Sequence, residues 1–223
     1  MDGPDFPFRT DIKLILTGTL LEERIRNICL ANDAMNVALM LSLGHGQALA
    51  NISPESWTAH PSSLTGLVVK IPGFSVLARA LKNVRFEPIS IEFSTTFDHP
   101  PEELGRDVSL VEHFYFDTIA AQFVLFFEEH YATMKDACNH DYPAMENTWK
   151  FGRRIRDAIS HRGLFTINDP NFIPVVWRGY TIGPERNGTA LSATLKPGDL
   201  LVLMCELERA LPRPDAQPPL PDR

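Results

Sequence analysis

Residues 143–162 read PAMENTWKFGRRIRDAISHR, and their apolar positions recur every three or four residues. The stripe consists of Met145, Trp149, Gly152, Ile155 and Ile159, widened by Phe151 and Ala158. This spacing is typical of one face of an α-helix and not of a strand. Pro143 suits a first helical turn, and Gly163 suits the C′ position just past a helix end. The segment therefore predicts an amphipathic helix over residues 143–162.

The opposite face of this predicted helix is basic. It carries Lys150, Arg153, Arg154, Asp157 and His161. Between residues 150 and 162, five Lys or Arg minus one Asp give a charge of +4, in a chain whose formal net charge is −7. A local reversal of charge is typical of a surface that binds a polyanion or an acidic partner, although a solvated helix face has the same composition.

The end of the helix combines a permanent cation with a titratable imidazole. Asp157 and His161 are four residues apart, so the carboxylate can reach the ring and fix its orientation. Arg156 lies about 140° around the helix from His161, so one helix does not aim both side chains at one atom. A bend, the long reach of Arg or a second copy of the helix is needed to unite them.

The six residues from Arg156 to His161, RDAISH, resemble the R-(N/D/H)-x3-H form of the R-x4-6-H signature of HEPN domains. That family consists of helical bundles and includes many metal-independent ribonucleases of toxin and antiviral systems, in which two copies of the motif form one site in a dimer cleft. The resemblance implies that Arg156 binds the scissile phosphate, that His161 transfers protons and that Asp157 occupies the polar second position, where Asn is more frequent. It also implies RNA as the substrate, a homodimer and an antitoxin-like protein partner.

The nucleic acid would then be bound by three cations of the basic face and one at the helix end: Lys150, Arg153, Arg154 and Arg162. RNA carries its own nucleophile, the 2′-OH, so cleavage needs a base, an acid and cations that stabilise the phosphorane. We therefore predict neither a metal nor another cofactor. The sequence has no Walker loop, G-x-G-x-x-G, C-x-x-C or G-x-S-x-G motif.

The rest of the chain predicts mostly helices. Long helical patterns cover residues 20–49 and 107–137, and a final buried helix runs from residue 197 to about 211. Residues 51–61 resemble a surface loop, 67–71 a short extended run, 74–84 a short helix and 87–97 a strand. A hairpin is predicted at about 173–194, returning over 189–194 after an Asn-Gly turn. We predict a mainly α fold, a HEPN-like helical bundle with a small appended β-hairpin, as one domain over residues 1–211 and a Pro-rich disordered tail over 212–223.

Composition favours a soluble cytoplasmic protein. The hydrophobic fraction of 44% and charged fraction of 22% are ordinary for a globular chain. Three widely separated cysteines, Cys29, Cys138 and Cys205, are typical of reduced core thiols. The first residues lack the features of a signal peptide, and the most apolar stretch, 114–127, is too short and too polar to span a bilayer.

Three functions fit these observations. The first is a HEPN-like metal-independent endoribonuclease in a toxin or defence role, with Arg156 and His161 as the working pair. The second is a catalytically inactive HEPN-like module that binds nucleic acid or a partner protein through its basic face. The third is a helical scaffold without RNA function, in which the motif only stabilises a helix end.

Overall fold

The computed structural model describes residues 12–16, 18–42, 44, 57–73, 90–94 and 108–212. Within these ranges the chain forms four α-helices and two antiparallel sheets. In chain order the elements are β1 (Ile12–Ile15), α1 (Glu22–Ser42), β2 (Trp57–Pro61), β3 (Val68–Pro72), β4 (Ser90–Ser94), α2 (Val108–Ala137), α3 (Asn147–Ser160), β5 (Val175–Trp177), β6 (Tyr180–Ile182), a 3-10 turn (Pro184–Arg186) and α4 (Pro197–Arg209). The predicted helix over 74–84 and the predicted tail beyond residue 212 lie outside the described residues.

The prediction of a mainly α fold is wrong, because the described chain is α/β. Four strands form one antiparallel sheet in the order β1-β4-β3-β2. The sequence predicted extended runs near β3 and β4 but missed β1 and assigned β2 to a loop. Both missed strands lie at the edges of the described sheet, where Pro61 is tolerated in β2 because an edge strand has unpaired backbone groups on one side.

The chain divides into two compact units. The first comprises Met1–Phe123 with Ser192–Val202, and the second comprises Val124–Leu191 with Leu203–Arg223. In the first unit α1 packs against β3, and its core contains Leu21, Ile25, Ile28, Val69, Ile71, Ile91 and Phe93. These side chains are all buried, and removing their apolar surface from water stabilises the unit.

Asp199 joins the loop between β2 and β3 to the first turn of α4. Its side chain is completely buried and accepts hydrogen bonds from the hydroxyls of Ser62 and Ser63 at 2.5 and 2.8 Å. It also accepts from backbone N–H groups of Ser63, Leu64 and Lys196 at 3.2, 3.0 and 2.8 Å. Because Lys196 immediately precedes the helix, the last of these bonds satisfies an otherwise unpaired N–H at the helix start.

One histidine of the first unit is buried on β2. His60 is 2% exposed, contacts the edge of Tyr115 with ring centroids 5.5 Å apart, and its Nε2 has no hydrogen-bond partner within the described part of the chain. Burial disfavours the charged ring and lowers the pKa of His60 from 6.5 to about 4. Below pH 6.5 the unfolded chain therefore binds a proton that the folded chain takes up only near pH 4.

This difference in pKa predicts a loss of stability on acidification. When the pH is lowered from 7 to 4, the free energy of unfolding should fall by about 3 kcal/mol because of His60, since each pKa unit corresponds to about 1.4 kcal/mol. His60→Phe, which keeps an aromatic ring against Tyr115, should remove that part of the pH dependence in chemical denaturation. Equal pH dependence of the wild type and His60→Phe would contradict the assignment.

The second unit is built around α3. Trp149 is buried, lies with its ring centroid 5.2 Å from that of Phe127, and donates its indole N–H to the backbone carbonyl of Leu207 at 3.2 Å. A Cβ at Gly152 would lie 3.2 Å from the side chains of both Phe127 and Leu207, so this glycine allows the close approach of α2 and α4 to α3. The predicted apolar stripe is therefore the buried face of the helix except at Ile159, which is only partly buried.

Two boundaries in this unit differ from the predictions. Helix α3 begins at Asn147 and not at Pro143, because the Glu146 carboxylate accepts hydrogen bonds from the N–H groups of Thr148 and Trp149 and so caps the helix. The hairpin is also shorter than predicted. Arg178 and Gly179, with φ of 49° and 77°, form a two-residue turn between β5 and β6 that returns the chain at once.

Candidate functional site

The motif lies at the C-terminal end of α3, where the backbone closes the helix and leaves His161 exposed. The N–H of His161 binds the carbonyls of Asp157 and Ala158, and the N–H of Gly163 reaches the carbonyl of Ala158 at 2.9 Å. This six-to-one bond is that of a Schellman motif, so Arg162, with φ of 61°, holds the C′ position that the sequence assigned to Gly163.

The left-handed backbone at Arg162 predicts a stabilising substitution. Arg162→Gly should raise the free energy of unfolding by about 1 kcal/mol, because a left-handed conformation costs about that much for a residue with a Cβ. The matched control is Ser160→Gly in the last helical turn, which should lower stability by about 0.5 kcal/mol, the difference in helix propensity between Ser and Gly. Urea denaturation of both variants measures the two changes. If the Arg162→Gly variant is less stable than the wild type, the Arg162 side chain stabilises the fold by more than its left-handed backbone destabilises it.

Arg156 is held by two carboxylates. Its Nε donates to Glu128 on α2, and its Nη1 donates to Asp157 at 3.2 Å. Partial burial lowers the pKa of the Arg156 guanidinium, but the hydrogen bonds and charges of Glu128 and Asp157 outweigh this effect and raise it above the ordinary value. The guanidinium is therefore a permanent cation with a defined orientation, and about a third of its side chain is exposed.

Asp157 does not take the role that its spacing predicted. Its carboxylate binds Arg156, and no hydrogen bond joins it to the ring of His161, although both residues belong to the described part of the chain. The structure thus brings Arg156, Asp157 and Glu128 together as one charged cluster. His161 follows at the helix end as a separate, exposed group.

The cations of the basic face lie over aromatic rings. The Arg153 guanidinium is 5.1 Å from the centroid of Tyr142, and the Arg154 guanidinium is 4.4 Å from that of Phe172. The ammonium group of Lys150 donates a hydrogen bond to the carbonyl of Pro143 at 2.7 Å. These contacts orient the cations without neutralising them, since a ring carries no net charge. The predicted basic face is therefore an ordered set of positive groups.

Glu128 was missed by the sequence interpretation. It lies on another helix, 28 residues before Arg156, among the acidic and apolar residues of α2. Several carboxylates of α2 stand at helical spacing, and periodicity alone does not select the one that meets α3.

Other observations set the chemical context of this site. Among the residues that the structure describes, no group of three or more His, Cys, Asp or Glu side chains is placed to hold a metal ion. Within the same residues, no helix combines the length and apolar character needed to cross a bilayer. Comparisons of the chain with protein-family models, curated proteins and solved structures gave no match.

Proposed function

We propose that the chain is a HEPN-like metal-independent endoribonuclease whose site is formed by Arg156 and His161 from two copies of the protein. The observation that supports this proposal most directly is the arrangement at the end of α3. There Arg156 is fixed in orientation yet partly exposed, and His161 is exposed just beyond the last helical residue. In this proposal the protein acts in the cytoplasm in a toxin or defence role, and an antitoxin-like protein restrains it.

A second copy is part of the proposal because one helix does not bring the two groups together. In an ideal helix positions 156 and 161 are about 140° apart, and Arg156 is directed towards Glu128. A dimer cleft lined by both copies would place one guanidinium beside the imidazole of the other copy. Two imidazoles would then flank one phosphodiester, as acid and base.

The reaction needs only these groups and the RNA itself. One His161 accepts the proton of the 2′-OH, whose oxygen attacks phosphorus and forms a 2′,3′-cyclic phosphate. The other His161, protonated, gives its proton to the departing 5′-oxygen as the P–O bond breaks. Because Nε and Nη1 of Arg156 already bind carboxylates, its Nη2 group is the donor that would stabilise charge on the phosphorane.

The proposal is tested with purified protein and single-stranded RNA in EDTA. We expect cleavage that leaves cyclic phosphate or 3′-phosphate ends, identified by mass spectrometry. A strand of the same sequence without 2′-hydroxyls should remain intact, because it lacks the nucleophile. A requirement for a divalent cation, or cleavage of the deoxy strand, would contradict the mechanism.

A second candidate is an inactive HEPN-like module that binds RNA or a partner protein through its basic face. The two carboxylates on Arg156 favour it, because the cluster of Glu128, Asp157 and Arg156 carries a formal charge of −1, which opposes a phosphate. The same ion pairs would suffice for the third alternative, a scaffold in which the cluster only joins α2 to α3.

The second candidate predicts binding without cleavage. Arg153→Glu together with Arg154→Glu should weaken binding of single-stranded RNA more than tenfold and reduce its salt dependence, because each lost phosphate contact lowers the slope by about one. The control is Lys196→Glu, at an exposed cation in the first unit. Fluorescence anisotropy at several salt concentrations measures both effects. Unchanged affinity in the double variant would remove the basic face from both nucleic-acid proposals.

A further inference from the structure

A recess lies where α2 ends and α3 begins. It encloses about 210 Å³ and is lined by the rings of Tyr131 and Tyr142, the cationic side chains of Lys135 and Arg153, and the imidazole of His140. Met145, which is 3% exposed, supplies an apolar part of the wall. No carboxylate lines this space, which we call the tyrosine recess.

The rings and cations of the tyrosine recess are arranged together. The Arg153 guanidinium lies 5.1 Å from the centroid of Tyr142 and 5.9 Å from that of Tyr131. The ring of Tyr131 is itself stacked on Phe127, with centroids 5.0 Å apart. Aromatic faces beside fixed cations fit a planar base that carries a phosphate, since bases stack on such rings and phosphates bind Lys and Arg.

One feature of the tyrosine recess has no partner within the fold. The hydroxyl of Tyr142 is buried and has no hydrogen-bond partner within the described residues. The left-handed Asn139 and His140 beside it, with φ of 52° and 60°, close the end of α2, because the N–H of His140 binds the carbonyl of Lys135 at 2.8 Å as in a Schellman motif. A buried hydroxyl without a partner is typical of a place where a ligand or an ordered water binds.

The tyrosine recess continues towards the motif. A second cavity, of about 230 Å³, shares Tyr131, Lys135 and His140 with it and is also lined by the carboxylates of Glu128 and Asp136. Glu128 accepts the hydrogen bond from Arg156. A strand whose scissile phosphate meets Arg156 would pass the carboxylates of Glu128 and Asp136 before it reaches the cations of the recess.

We propose that the tyrosine recess binds one nucleotide of single-stranded RNA, with the base against Tyr131 and Tyr142. Lys135 and Arg153 bind the phosphate of that nucleotide. As a subsite for the strand cleaved at Arg156 and His161, this assignment rests on the proposed function, but binding at the recess can be measured without cleavage.

The test uses a short single-stranded RNA that is 2′-O-methylated at every position, so that it binds but is not cut. Tyr142→Leu should weaken binding about tenfold, because stacking on an aromatic ring is lost. Tyr142→Phe keeps the ring and should bind within about twofold of the wild type. Lys135→Gln should weaken binding and reduce its salt dependence.

Nitration of the wild-type protein gives a second measurement that needs no variant. The methylated RNA should protect Tyr131 and Tyr142 from tetranitromethane, as read by peptide mass spectrometry. This measurement decides the matter if Tyr142→Leu does not fold. Unprotected tyrosines, or wild-type affinity in a folded Tyr142→Leu variant, would overturn the proposal.

The outcomes separate this inference from the proposed function. If binding depends on the ring of Tyr142 but RNA is never cleaved in EDTA, the recess is a nucleotide site and the nuclease proposal fails. If RNA is cleaved and Tyr142→Leu changes neither KM nor kcat, the nuclease proposal stands and the recess is not its subsite. Inorganic polyphosphate that displaces the RNA without protecting the tyrosines would indicate a site for anions alone and would also overturn the assignment.

Discussion

His161→Ala should reduce the rate of RNA cleavage at least about 1000-fold. In the proposed site two copies of this imidazole act as base and acid, and each proton transfer typically accelerates a reaction by about 10² to 10⁴. The folded protein should be unaffected, because the His161 side chain is exposed at the end of α3. Initial rates in EDTA, with the wild type at the same concentration, measure the change.

Ser160→Ala is the matched control for this prediction. Ser160 is the adjacent residue, also exposed, and has no part in the proposed chemistry, so its variant should cleave RNA at the wild-type rate. The melting temperatures of both variants should equal that of the wild type. Full activity of His161→Ala would assign the cleavage to another protein in the preparation, and the nuclease proposal would then be abandoned.

Asp199→Ala should lower the free energy of unfolding by about 4 kcal/mol. The substitution removes a buried carboxylate and leaves the hydroxyls of Ser62 and Ser63, together with three backbone N–H groups, without their acceptor. Buried donors that lose a partner cost about 1 to 3 kcal/mol each, and partial relaxation of the loop reduces the sum. Chemical denaturation monitored by circular dichroism measures the change.

Asp169→Ala is the control, because it removes an exposed aspartate with few contacts. Asp169 is exposed and accepts one side-chain hydrogen bond, from the N–H of Asn171 at 2.8 Å, so its loss should cost less than about 1 kcal/mol. Asp199→Asn should fall between the two, because the amide keeps one acceptor oxygen but turns N–H donors towards other donors. A cost below about 1 kcal/mol for Asp199→Ala would mean that water replaces the carboxylate.

The helices were more accessible to sequence interpretation than the sheet. Helix α3 and much of α2 bury residues at regular local spacing, so periodicity predicted both. The start of α3 was placed four residues too early because Pro143 suits a first turn, whereas the Glu146 carboxylate fixes the actual one. A cap depends on side-chain geometry that composition does not specify.

The four-stranded sheet depends on pairing between distant segments. Ile12 of β1 is paired with Phe93 of β4, and strands of four or five residues carry too few positions for alternation to stand out. In β2 the sequence WTAHP ends in proline and was assigned to a loop. Hydrogen bonding to β3 makes this segment a strand, although the local β-propensity of its residues does not predict one.

The residues of the motif could be identified from sequence, but their partners could not. The spacing of Asp157 and His161 predicted a contact between their side chains. The Asp157 carboxylate instead binds Arg156, because the permanent charge of the adjacent guanidinium makes it the stronger partner. The tyrosine recess joins residues from the end of α2 and the start of α3. The sequence pattern does not distinguish Tyr131 and Tyr142 from the aromatic residues of the core.

The placement of Asp199 bears on how the chain folds during synthesis. Ser62 and its carboxylate acceptor are separated by 137 positions, and residues 192–202 belong to the first unit. A nascent chain on the ribosome therefore carries an incomplete N-terminal unit until this late segment emerges from the exit tunnel. A nonsense codon shortly before residue 199 would remove Asp199 from the first unit and Leu207, the acceptor for the Trp149 indole, from the second, so it would leave both units incomplete.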